Sequence, residues 1–70
     1  METIIGIDMS NDDYGPYRVN QDYDSRRNVY ITEIVPYHSY GKDWFKVVFN
    51  DARPILINPD HVAQLTIHEF

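Results

Sequence analysis

The run "WFKVVFNDARPILINPDHVAQLTIH", residues 44–68, decides the fold class. Its first part, "WFKVVF", places Phe45, Val47 and Phe49 on one face and Trp44, Lys46 and Val48 on the other. That period of two belongs to a half-buried strand. "NDAR" at 50–53 is a turn, since Asn50 and Asp51 tolerate turn dihedrals and hydrogen-bond their own backbone. "PILI" at 54–57 pairs back as the next strand, with Pro54 acceptable at a strand start. "NPDH" reads as a single helical turn, capped by Asn58 and started by the preset φ of Pro59. "AQLTIH" closes the chain as a strand, with Ala63, Leu65 and Ile67 inward and Gln64, Thr66 and His68 outward.

Upstream, "NVYITEIV" at 28–35 is rich in β-branched residues and predicts another strand. Its alternation fails at Glu33, which shares a face with Val29, Ile31 and Val35; a bulge or an edge-facing end would explain it. "PYHSYGKD" at 36–43 reads as a turn-rich connection, because Pro36 and Gly41 punctuate it. Residues 1–9 form a first strand, with Thr3, Ile5, Ile7 and Met9 on one face and Ile4, Gly6 and Asp8 on the other. Between these two strands lies an acidic loop, 8–27, too polar for a core strand, in which Arg18 and Val19 are able to pair briefly. Nowhere do apolar residues recur at helical spacing behind a cap. The expectation is an all-β chain: one domain over residues 1–70, a small five-stranded barrel with a single 3-10 turn before the last strand, which leaves few exposed edges.

Composition narrows the function classes. Seventy residues lie near the lower limit for a self-sufficient core, and without cysteine neither disulfides nor thiolate metal sites contribute. Cysteine-free composition and the lack of a basic-then-apolar leader in "METIIGIDMSN" predict a cytoplasmic protein, and no apolar run approaches a membrane span. The net charge is −5, and residues 8–24 account for −4 of it, five aspartates against Arg18. Such a balance opposes non-specific attraction to nucleic acid or anionic lipid. Catalysis is not expected. His38 adjoins Ser39 but lacks a third, orienting group, and His61 and His68 lack a further metal ligand at useful spacing. A calcium loop counted from Asp8 fails at Asp13 and Val19, where glycine and glutamate are required. No cofactor and no metal are predicted.

The order of parts resembles an SH3-like barrel. In that family a long, often acidic loop follows the first strand, a tryptophan opens the middle strand, and a short 3-10 turn with proline precedes the last. Here these parts are the loop at 8–24, Trp44 in "KDWF", and Pro59 in "NPDHV". The resemblance implies a peptide groove lined by Trp44, Pro59 and His61, with histidine standing where the family has tyrosine. The alanine-leucine-tyrosine-aspartate-tyrosine motif of the family's first strand is absent, so the resemblance implies the barrel more than a proline-rich ligand. Sm-like RNA-binding barrels share the ending of strand, turn and strand, but their Gly-rich and basic signatures are missing here.

Two groups of residues are predicted to meet a partner. The loop offers Asp12, Asp13, Tyr14, Tyr17, Asp22 and Tyr23; tyrosine contributes rigid contact area at low entropic cost, and aspartate contributes charge selectivity. The barrel offers an outward Trp44 beside Pro59, His61, Tyr37 and Tyr40, an aromatic platform of hot-spot composition. The functional expectation is a small, acidic, non-enzymatic protein-binding module, an adaptor or inhibitor for a partner with a basic surface; size and acidity would also suit a viral origin. The alternatives are a nucleic-acid-binding barrel, a self-assembling structural subunit, and an inhibitor whose aspartates imitate a phosphate track.

Overall fold

A computed structural model describes residues 2–10 and 15–69, so the expectations placed on Asp12, Asp13 and Tyr14 lie outside the described residues. The strands are β1 (Glu2–Met9), β2 (Tyr17–Arg18), β3 (Asp22–Asp24), β4 (Val29–Ser39), β5 (Lys42–Phe49), β6 (Ile55–Ile57) and β7 (Val62–Glu69), with a 3-10 turn, Pro59–His61, before the last. The fold is all-β, a curled antiparallel sheet in the form of a half-barrel, and no α-helix occurs among the described residues. The principal strands run β7-β1-β4-β5-β6. β7 follows one edge of β1 over its length, while β4 at Ile4 and β2 at Gly6 and Ile7 share the other. The two short strands β2 and β3 lie within the stretch expected to be loop. The brief pairing expected of Arg18 and Val19 within the loop falls instead on Tyr17 and Arg18, which pair with Ile7 and Gly6 of β1, and β3 pairs with β4 at Tyr30 and Val29.

Besides a register shift at Tyr23 in β3, single-residue bulges in β4, β1 and β7 set which side chains face inward. In β4, Ile31 opposes Phe49 and Glu33 opposes Val48, so Thr32 is the extra residue. Its insertion shifts the strand by one position, carrying Glu33 to the solvent side and Ile34 into the core opposite Val47. In β1, Ile4 opposes Ile67 and Gly6 opposes Thr66, leaving Ile5 extra. Ile4 therefore joins Ile7 on the inner side, and the expected alternation of Thr3, Ile5, Ile7 and Met9 is broken. In β7, Asp8 opposes Gln64 and Met9 opposes Val62, so Ala63 is extra and exposed. Val62 packs on the core in the place expected for Ala63. The buried set is Ile7, Val29, Ile31, Ile34, Val47, Phe49 and Ile57, each stabilising by about 1.5–3 kcal/mol through removal of apolar surface from water.

β4 continues through "PYHS", where a loop was expected. Pro36 is tolerated because, among the described residues, β1 pairs with β4 only at Ile34, so beyond that point one edge of β4 has no described ladder to supply. The chain reverses at Tyr40 and Gly41, whose φ angles of 54° and 74° are both left-handed, between the paired residues Ser39 and Lys42. This is the requirement of a type I′ hairpin turn. The 3-10 turn forms as expected, with Asn58 Oδ1 accepting from the Asp60 backbone N–H at 3.1 Å.

Candidate partner-binding face

The β4–β5 hairpin fixes most of the predicted platform. Its register places Tyr37 opposite Trp44 and Val35 opposite Lys46, all on the outer side of the sheet, away from the core-facing Val47 and Phe49. Trp44 is half-buried and its Nε1–H donates to the Ser39 carbonyl at 2.9 Å, tethering the indole to its own hairpin. Lys42 Nζ stands 4.1 Å from the centre of the Trp44 ring, and Lys46 Nζ stands 4.7 Å from that of Tyr37. Each contact contributes about 0.5–1 kcal/mol at an exposed site and holds the ring beneath it in one orientation. Tyr37 and Tyr40 share a shallow pocket of about 220 Å³ with Lys46, Pro54 and Leu56.

Tyr40 is the unusual member. It occupies a left-handed position where asparagine, aspartate or glycine is favoured, and 88% of it is exposed. The backbone cost of placing a tyrosine there is not returned by packing within the chain.

The 3-10 turn lies beside β5, with Pro59 half-buried and His61 exposed. The His61 carbonyl accepts from both the backbone N–H of Ser10 at 2.8 Å and its hydroxyl at 3.0 Å. The start of the acidic segment is thereby fastened to the turn. The remaining tyrosines and aspartates are placed elsewhere. Tyr23 packs against Phe49 with ring centroids 4.6 Å apart and planes tilted by 46°, which directs it to the core-facing side of β5. Tyr17 is half-buried against the core, and Asp22 is exposed opposite Tyr30 on β3. Asp8, at the end of β1, is ion-paired with Arg18 at 2.7 Å. The structure thus brings Tyr37, Tyr40 and Trp44 into one hairpin and leaves Tyr17 and Tyr23 off that face.

Sequence reasoning missed Lys42, Lys46, Pro54 and Leu56. A hairpin register counted from "YG" would have found the lysines, because Lys46 reaches Tyr37 diagonally across the ladder. His38 Nδ1 lies 2.9 Å from Asp43 Oδ1 in an exposed cross-strand pair, so its partner is Asp43 and the adjacent Ser39 is not in that contact. Among the described residues no three His, Asp or Glu side chains converge to hold a metal, and no helix is long and apolar enough to cross a membrane. Comparison of the chain with protein-family models, curated proteins and solved structures finds no match.

Proposed function

We propose that this chain is a non-enzymatic protein-binding module that docks a partner on the ring-bearing outer face of the β4–β5 hairpin. The observation that carries this reading is Tyr40: a large, exposed aromatic held at a left-handed turn position, beside Tyr37 and the Trp44 indole. An energetically unfavourable backbone position occupied by a contact-rich side chain is best accounted for by a contact outside the chain. The strand order, the acidic segment after β1 and the 3-10 turn before β7 support an SH3-like barrel as the scaffold, with Pro59 and His61 in the turn beside β5. The net charge of −5 favours encounter with a basic partner surface. A nucleic-acid reading ranks second because Arg18, one of only six basic residues, is held by Asp8.

The test is affinity capture by the immobilised chain, compared with a Tyr37→Ser, Tyr40→Ser variant. Tyr40 is exposed and Tyr37 is 40% exposed, so the variant keeps its core. A partner retained by the parent chain and lost by the variant is the expected result. Equal capture by both would remove this face from the function, and a chain that light scattering finds self-associated through the hairpin would turn the reading to self-assembly.

A further inference from the structure

We infer that the open mouth of the half-barrel is a second docking site, a groove for a peptide segment that pairs aliphatic side chains with lysine or arginine. The groove has a volume of about 520 Å³ and runs between the start of β1, the middle of β4 and the end of β7. That volume falls within the range of about 300–1,000 Å³ typical of ligand sites. Its floor is Ile4, Ile34, Phe45, Leu65 and Ile67. The bulge at Ile5 brings Ile4 to the same side as Ile7, facing Ile67 and Leu65, which alternate onto that side of β7. Because the sheet curls only partway, no strand among the described residues covers that end, and Ile67 is 47% exposed on a core-facing position.

The rim supplies the charge that selects the occupant. Glu2 is exposed at the groove on the same side of β1 as Ile4, Glu69 lies directly opposite it on β7, and Glu33 borders the groove from the outer side of β4. Like charges facing each other across a ladder are destabilising. No lysine or arginine among the described residues pairs with Glu2, Glu33 or Glu69, since the ion pairs there are Arg18 with Asp8 and His38 with Asp43. A cation arriving with the ligand relieves the Glu2–Glu69 opposition while its aliphatic neighbours cover the floor. The same carboxylates argue against the other occupants. An anionic lipid surface or nucleic acid meets repulsion, and a second copy placed symmetrically over the mouth brings acidic rim against acidic rim.

Nuclear magnetic resonance titration of the isotope-labelled chain tests this with three synthetic peptides of equal length, composed of Lys and Leu, Glu and Leu, or Lys and Ser. The Lys/Leu peptide should shift the amides of Ile4, Phe45 and Ile67 and bind more weakly as salt is raised, and the other two should leave them in place. Glu2→Lys and Ile67→Lys alter exposed side chains, keep a dispersed spectrum, and should each weaken the Lys/Leu peptide roughly tenfold or more. Equal binding of the Glu/Leu peptide, binding of none of the three, or shifts centred on Tyr37 and Tyr40 would overturn the proposal. So would shifts of the groove amides that depend on protein concentration before any peptide is added, which would identify a second copy as the occupant.

Discussion

Replacing Gly6 by alanine should reverse its effect on stability according to what stands at position 18. Gly6 opposes Arg18 in the β1–β2 pair, and a Cβ built there would lie 2.7 Å from Arg18 Cδ and 2.9 Å from its Nη1. The three nearest atoms all belong to one long side chain, so Arg18 must swing away. Its Nη2 then leaves Asp8 Oδ1, at 2.7 Å, and its Nη1 leaves the carbonyls of Tyr17 and Ile7, at 3.1 and 3.3 Å. The Arg18 and Asp8 side chains are 39% and 36% exposed, so solvent screens the pair. With its carbonyl bonds included, the arrangement contributes about 1–2 kcal/mol. Alanine in a strand interior gains about 0.5–1 kcal/mol over glycine by restricting the unfolded chain. Gly6→Ala should therefore destabilise the parent by about 0.5–1 kcal/mol, some 2–8 °C in Tm for a chain of this size. With Arg18→Ala in place the clash is gone, and the same substitution should stabilise by about 0.5–1 kcal/mol. Urea unfolding of the four proteins, followed through Trp44 fluorescence, gives the coupling directly. A loss of the same sign and size in both backgrounds would show that Gly6 is required for its backbone, and the argument from Arg18 would fail.

Other consequences are open to measurement. Tyr40→Asn should raise stability by about 0.5–1 kcal/mol in thermal unfolding, because asparagine accepts the left-handed turn position, while weakening partner capture. Gly41→Ala should lower stability by about 1 kcal/mol. A Cβ there meets nothing within 4 Å, so the loss would come from φ alone. Asn50→Ala removes the side chain that accepts from the Tyr30 N–H at 2.8 Å and donates to the Asn28 carbonyl at 3.0 Å. It should cost about 1–2 kcal/mol and speed amide exchange at Tyr30. Asp12→Asn with Asp13→Asn should chiefly slow association with a basic partner and flatten its salt dependence, as read by stopped-flow mixing.

Much of the fold was legible because its determinants are local. The alternation of Phe45, Val47 and Phe49 and the Asn58–Pro59 start of the 3-10 turn depend on residues near in sequence, and both are present as read. The Glu33 mismatch even signalled the bulge at Thr32. The bulges at Ile5 and Ala63 left no such mark, since the residues on either face there are of similar character. The hairpin through Pro36 was hidden for a related reason: tyrosine at a left-handed position carries no turn signal, and proline in a strand reads as a stop.

The sequence by itself determined the all-β class, the core strand, the capped turn and the acidic segment, because periodicity, capping and charge are properties of neighbouring residues. Only the tertiary structure decided which rings share a face, that Arg18 crosses Gly6 to reach Asp8, and that Glu2 confronts Glu69 beside an apolar groove floor. Those outcomes follow from register and curl, and one extra residue in a strand reverses every side chain beyond it.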